Sequence, residues 1–193
     1  MTTSKRLILG KIHKFHFDET KFLYSESFVN TAKRIQNQEQ IKFQIPIEAN
    51  IHKEVKLHHT YQKLNNINFF IGDACKVSSY NIGTFDGIIM SNLLCRLPNP
   101  PACLQGLSEI TNPNGVVLIL TPYSWLDEFT AKEDWLGGYY EDGEAVYSKD
   151  VLLGVMQRNG FEKVHEEQVP LVIREHQRKY QYIVTEATGW RRL

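Results

Sequence analysis

Residues 85–120 read FDGIIMSNLLCRLPNPPACLQGLSEITNPNGVVLIL, and the fold is decided there. Residues 85–91 are a β-type run rich in isoleucine, and residues 116–120 are an unbroken apolar run. Such runs suit strands buried on both faces, as in a parallel sheet. Between them, Pro100-Pro101 opens a helix whose Ala102, Leu104, Leu107 and Ile110 share one face. Asn112-Pro113-Asn114-Gly115 then turns the chain into the second strand. Strands alternating with helices of this length imply a doubly wound α/β sheet.

Working upstream, residues 67–71 form another β-type run, closed by Gly72-Asp73. Residues 48–64 are polar with scattered apolar positions and read as a surface helix. Residues 41–45 alternate as a half-buried strand, which Pro46 ends. Ser25 reads as the N-cap of a helix carrying Phe28, Val29, Ala32 and Ile35 on one face, after a short strand-like run at 20–24. Residues 1–18 are basic and irregular.

Downstream, residues 151–157 read as a helix stopped by Asn159-Gly160, followed by a strand at 161–169. A long last strand at 171–186 should pair antiparallel with it through a short turn at Pro170. In such sheets ligands sit at the carboxyl ends of the strands, near the topological switch point. That rule selects Gly72-Asp73-Ala74, Ser91-Asn92-Leu93 and Thr121-Pro122-Tyr123.

Bulk properties narrow the class. A chain of 193 residues without repeats or Pro/Gly/Ser linkers fits one domain, here 1–193. Lysine plus arginine balances aspartate plus glutamate at 22 each, so the basic excess of a sequence-independent nucleic-acid binder is missing. Arg174, Arg178 and Lys179 form a local basic group, read as a solvated strand edge. Three cysteines, Cys75, Cys95 and Cys103, are too few and too irregular for a disulfide framework or a zinc site, and suit a reducing compartment. Leu7-Ile8-Leu9 is too short for a signal-peptide core or a membrane span, so a cytoplasmic location is expected, with neither membrane nor nucleic acid as partner.

Gly72-Asp73-Ala74, Phe85-Asp86-Gly87-Ile88-Ile89 and Asn112-Pro113-Asn114-Gly115-Val116-Val117 follow one another as the middle and late motifs of class I methyltransferases do. Residues 92–97, 121–130, 135–138, 172–175, 178–181 and 190–192 narrow the match. With them the chain resembles the C-terminal methyltransferase domain of the ovothiol biosynthesis enzyme, a 4-mercaptohistidine N1-methyltransferase. The resemblance implies a Rossmann-like, mostly parallel sheet with an antiparallel last strand, and S-adenosylmethionine as cofactor. It implies Asp73 and Ala74 beside the adenine, and Asn92 with Leu93 under the methionine portion. A capping role is the structural alternative for both Asp73 and Asn92.

The acceptor would be a small thiolated histidine. Tyr123, Trp125, Trp135 and Tyr139 lie in a long segment between a strand and a helix, where aromatic walls suit a small pocket. Packing of that segment onto the core is their other reading. Arg174 is the candidate carboxylate clamp, and Asp127 and Glu128 are candidates for the amine or an imidazole N–H. Tyr123 and Glu128 are the catalytic candidates, with Glu128 holding the tautomer. A neutral imidazole nitrogen is already nucleophilic, so orientation matters more than a strong base.

The family's opening strand with a GCxxGR loop, and the acid ending its second strand, have no counterpart here. Only Leu7-Ile8-Leu9-Gly10-Lys11 precedes Phe17-Asp18, and Leu23 stands at the acidic position with Glu26 nearest. The first strand is therefore expected to be missing or degenerate, replaced by residues 1–18. Two expectations follow: a truncated enzyme, or an inactive pseudo-methyltransferase acting as an interaction module. The second would leave the strand near Lys21 with an unpaired edge or an uncovered face, favouring a homo-oligomer or pairing with a complete ovothiol synthase.

Overall fold

A strand stands inside the sheet where the sequence led us to expect a missing or degenerate one. The computed structural model describes residues 5–10, 18–58 and 66–193. Its strands are β1 (Lys5–Gly10), β2 (Asp18–Leu23), β3 (Lys42–Glu48), β4 (Ile51–Lys56), β5 (Ile67–Ile71), β6 (Phe85–Ser91), β7 (Thr111–Thr121), β8 (Tyr139–Glu141), β9 (Glu144–Val146), β10 (Phe161–His176) and β11 (Lys179–Arg192). The helices are α1 (Glu26–Gln36), α2 (Pro100–Ile110) and α3 (Ser148–Arg158). Seven strands form the main sheet in the order β10-β11-β7-β6-β1-β2-β5. All neighbouring pairs from β7 to β5 are parallel, and β11 runs antiparallel between β7 and β10.

The expectation of a missing first strand is thus corrected. β1 pairs in register with β2 on one side and β6 on the other, with Leu7 opposite both Thr20 and Ile88. The physical reason is non-local. Six residues too short to announce a strand are held by two partners, one of them far along the chain. Only seven residues, 11–17, join β1 to β2, where a parallel pair ordinarily takes a dozen or more. Residues 1–4 and 11–17 of the segment read as irregular lie outside the described residues. β2 has a partner on each side, so the unpaired edge anticipated near Lys21 does not occur.

Two further boundaries move. The helix expected at 48–64 is instead β4, which pairs antiparallel with β3 in a separate two-stranded ribbon; residues 59–64 of that expectation lie outside the described residues. Pro46 lies within β3, which a two-stranded ribbon tolerates because only one side of each strand is bonded. Pro170 likewise does not turn the chain: it lies inside β10, opposite Val184, and the reversal comes at residues 177–178. β10 is the sheet's edge, so a missing N–H there costs no interior bond. The expected antiparallel pairing holds.

The core lies where α2 and α3 cover one sheet face. Asn99 caps α2 by accepting the Ala102 amide at 3.0 Å, and Pro100 pre-sets its first turn. Leu104 and Leu107 then bury fully against Ile88 and Met90 of β6, Val117 and Ile119 of β7, Leu152 and Met156 of α3, and Trp190. Each such side chain contributes about 1.5–3 kcal/mol by leaving water. Gly106 lets α2 approach the turn at Ala74–Ser79, since a Cβ there would lie 2.9 Å from Val77. None of the described helices is long and apolar enough to cross a membrane.

Candidate active site

Strand register builds the first part of the site. Gly10 is level with Ser91, Leu23 with Ile71, and Ser91 with Leu120. One row of carboxyl ends therefore brings together Gly10, Leu23, Gly72-Asp73 and Asn92. β1 stands where the winding reverses: its next strand lies on one side and β6 on the other. This is the switch-point crevice in which doubly wound sheets bind ligands.

Local conformation shapes that row. Asn92 has φ of 51°, an uncommon left-handed backbone that asparagine tolerates better than most residues, and its amide donates to the Leu120 carbonyl at 2.8 Å. The alternative of Asn92 as a helix N-cap does not hold, because Leu93 starts the next short turn without a side-chain cap. Leu93 is half-buried against the core. Asp73 does cap: its Oδ1 accepts from the Cys75 amide at 2.9 Å, while its own amide donates to the Tyr80 hydroxyl at 3.0 Å. Its second oxygen keeps accepting capacity. Ala74 is buried directly behind it.

The segment 122–138 is folded down by its own side chains. Trp125 is buried, donates from Nε1 to Ser148 Oγ at 2.8 Å, and stacks on Trp135 at 6.5 Å between ring centroids. Trp135 Nε1 donates to the Thr130 carbonyl at 2.8 Å. Arg96 ties the same segment to β6's exit, donating to the Ser124 carbonyl at 2.6 Å and lying 4.9 Å over the Phe129 ring. Both indole N–H groups are thus spent on holding the loop. Trp135 also lines, with Lys132, Glu133 and Tyr139, a hollow of about 490 Å³.

The charged candidates scatter. Asp127 is exposed and 3.6 Å from Lys132 Nζ, and Glu128 is exposed. Arg174 is also exposed, its Nε donating to the His176 carbonyl at 3.3 Å. It sits opposite Tyr180, six positions beyond Glu186, which is level with the end of β7. That is about 20 Å along the strand. Arg174 and Tyr123 are therefore held by different parts of the sheet's end.

What gathers around Tyr123 was not read from the sequence. Tyr123 has φ of 50°, and its hydroxyl donates to Glu186 Oε1 at 2.7 Å. Burial first, then that hydrogen bond and the Glu186 charge, push the phenol far above its ordinary range, so it stays protonated. Gln168 Nε2 reaches the other Glu186 oxygen at 3.4 Å. Beneath lies a cavity of about 180 Å³, between α3 and the β10–β11 pair, floored by Leu152, Thr188 and Trp190. Glu186, Thr188 and Trp190 alternate along β11 and so share one face; that period was the available signal for Glu186.

Among the described residues, no group of three or more His, Cys, Asp or Glu side chains could hold a metal ion. Cys75, Cys95 and Cys103 are all free thiols.

A mostly parallel doubly wound sheet with its last strand reversed, and a crevice at the β1/β6 switch point, is the architecture of class I methyltransferases. Residues 12–166 match the family model described as a methyltransferase domain, and the chain belongs to that family. Among solved structures it is similar to a SAM-dependent methyltransferase from Methanosarcina mazei, at 13% identity and a TM-score of 0.61, over 100% of this chain and 94% of that one. It is also similar to the N-methyltransferase NodS from Bradyrhizobium japonicum in complex with S-adenosyl-L-homocysteine, at 10% identity and a TM-score of 0.56, over 98% of this chain and 78% of that one. No curated protein matches the chain in sequence.

Proposed function

We propose that the chain is an S-adenosylmethionine-dependent N-methyltransferase acting on a small acceptor. The observation that carries this is the level row of Gly10, Leu23, Asp73 and Asn92 at the switch point. The donor set fits the cofactor's adenine and methionine ends. Asp73 can accept from an exocyclic amine, the Ala74 amide is next to it, and Asn92 with Leu93 would lie along the methionine portion. Leu23 gives the ribose hydroxyls no carboxylate, and Glu26, in the first turn of α1, is the nearest acid.

When bound, S-adenosylmethionine supplies an electrophilic methyl on a sulfonium. The chain's residues have to seat a neutral nitrogen in line with that methyl, keep water away, and hold the acceptor's other polar atoms. The nitrogen to be methylated would have to present a free lone pair, which in a neutral imidazole is the unprotonated ring nitrogen, and the proton released afterwards would leave from the other ring nitrogen to solvent. For the acceptor we propose the imidazole of a thiolated histidine, on the resemblance carried by residues 92–97, 121–130 and 172–181. In that reading Trp135 contributes to the pocket wall, while Trp125 acts by holding the loop. Arg174 can serve as the carboxylate clamp only if the β10–β11 arm is drawn in toward the loop. Asp127 and Glu128 are left to meet the acceptor from solvent.

A non-catalytic role, in which the fold serves as an interaction module for a homo-oligomer or a complete ovothiol synthase, is favoured by the seven-residue β1–β2 link and its single preceding glycine. Calorimetric titration with S-adenosylhomocysteine separates the two. Micromolar binding, followed by methyl transfer to 4-mercaptohistidine, supports the enzyme. A folded chain that binds no S-adenosylhomocysteine overturns it.

A further inference from the structure

We infer that the cavity beneath Tyr123 seats the methyl acceptor's amine or azole N–H, with the Tyr123 phenolic oxygen and the Glu186 carboxylate as the accepting pair. The inference rests on the methyltransferase reading for the word acceptor, and on the cavity's own chemistry for the rest.

Three observations converge. First, the Tyr123 hydroxyl is directed by its 2.7 Å bond to Glu186, so its hydrogen is committed and its oxygen lone pairs are not. A phenol that donates to a carboxylate becomes a stronger acceptor. Glu186 Oε2 has only the 3.4 Å contact from Gln168, so it too can accept from a ligand. Second, the ionised groups lining the cavity are Asp150, Glu166 and Glu186 against Lys149 and Lys163, and Lys163 is engaged with Glu166. The excess is one negative charge with the half-buried Glu186 included, which favours a cation or a good N–H donor over an anion. Third, the cavity has about 180 Å³, below the size of ordinary drug-like sites, so it suits an amino-acid-sized head and not a macromolecular side chain presented on a bulky surface.

Position links this cavity to the crevice. Tyr123 follows the last residue of β7 by two positions, and the Asn92 amide is bonded to Leu120 of the same strand. Glu186 is level with Thr121. An acceptor held here by its N–H is therefore at the same end of the sheet as the proposed methyl donor. On this account Glu186 selects the acceptor's charge and Tyr123 fixes its orientation, and neither acts as the base.

The test uses two imidazoles of opposite charge, histamine and imidazole-4-acetate, titrated into the full chain while following the Trp190 indole N–H signal by NMR. That indole lines the cavity, and its Nε1 donates to Thr188 at 2.8 Å. Histamine should bind about tenfold more tightly than imidazole-4-acetate, the size of one hydrogen bond to a charged group. Glu186→Gln should abolish the preference and Glu186→Asp should keep part of it. Tyr123→Phe should weaken both ligands, with a single cooperative melt confirming each fold. Equal binding of the two imidazoles, or a preference that survives Glu186→Gln, overturns the inference. S-adenosylhomocysteine titrated in parallel separates the failures. If it binds and histamine does not move the indole signal, only this inference falls. If histamine binds and S-adenosylhomocysteine does not, only the methyltransferase reading falls.

Discussion

Tyr123 and Glu186, 63 positions apart, meet at 2.7 Å where the end of β7 lies against β11. The contact joins the loop that follows one strand to the middle of another, and after burial it is the next cause that keeps the phenol protonated.

That phenol gives a test at high pH. Its pKa is raised in the folded chain, so its contribution to stability is complete below the ordinary tyrosine value near ~10 and is lost as pH rises toward the folded value. Ultraviolet titration of the native protein should leave Tyr123 un-ionised through any earlier step in the ordinary tyrosine range. Tyr123→Phe should remove a late alkaline step and leave the earlier one in place. Loss of signal from the early step instead would show an ordinary phenol at this position.

Asn92 separates backbone from side chain. Its left-handed φ means that Asn92→Ala should destabilise by about 1 kcal/mol, whereas Asn92→Gly should be neutral or slightly stabilising in thermal melts. Both should weaken S-adenosylhomocysteine to a similar extent if the amide side chain touches the cofactor. Unchanged affinity in Asn92→Gly would leave Asn92 with a purely conformational role.

Leu23 offers a gain of function. Doubly wound folds place an acid at the end of the second strand to bind ribose hydroxyls. Leu23→Asp should therefore tighten S-adenosylhomocysteine by about tenfold in calorimetry, one charge-assisted hydrogen bond's worth. No gain, in a variant that still melts cooperatively, would place the ribose elsewhere.

Trp125 and Ser148 carry the loop. Trp125→Phe leaves the buried Ser148 hydroxyl without its 2.8 Å donor and should cost about 1–3 kcal/mol in denaturant melts. A double-mutant cycle with Ser148→Ala should show coupling of about 1 kcal/mol. Additive losses would mean that the Trp125–Ser148 bond does not hold the loop, which would rest on the Trp135 and Arg96 contacts instead.

Gly137 tests the neighbouring close approach. A Cβ there would fall 2.5 Å from the Ser148 backbone nitrogen, which has little freedom at the start of α3. Gly137→Ala should lower stability by about 2–3 kcal/mol in chemical denaturation. Gly143→Ala, with open space around its Cβ and φ of 87°, should cost only the backbone strain of about 1 kcal/mol.

Where the sequence was readable, both ends of an interaction were local or periodic. Residues 85–120 announced β6, α2 and β7 because strands buried on two faces are continuous apolar runs and Pro100-Pro101 suits a helix start. Asp73 and Asn92 fell at strand ends for the same reason. β1 was missed because what makes it a strand is pairing with residues 87–91, which no six-residue pattern carries. The turn was misplaced at Pro170 because proline's ban on strand interiors lapses on an edge, and only the sheet order shows that β10 is one. The aromatic loop was found, but its two tryptophans point their N–H groups inward, to Ser148 and Thr130, and so serve the scaffold first. Glu186 escaped notice because its partner is tertiary.

The position of β1 also bears on how the chain comes into being. Arg6 pairs with Gly87, so an interior strand of the sheet is synthesised about eighty residues before one of its two neighbours exists. At ribosomal speeds that interval is roughly 4–16 s. During it the nascent segment has a seam with nothing to zip onto, and the barrier to completing the sheet is dominated by one long loop closure. Expression yield should accordingly respond to anything that shields nascent strands, such as trigger-type chaperones or slowed growth temperature, more than to substitutions on the finished surface.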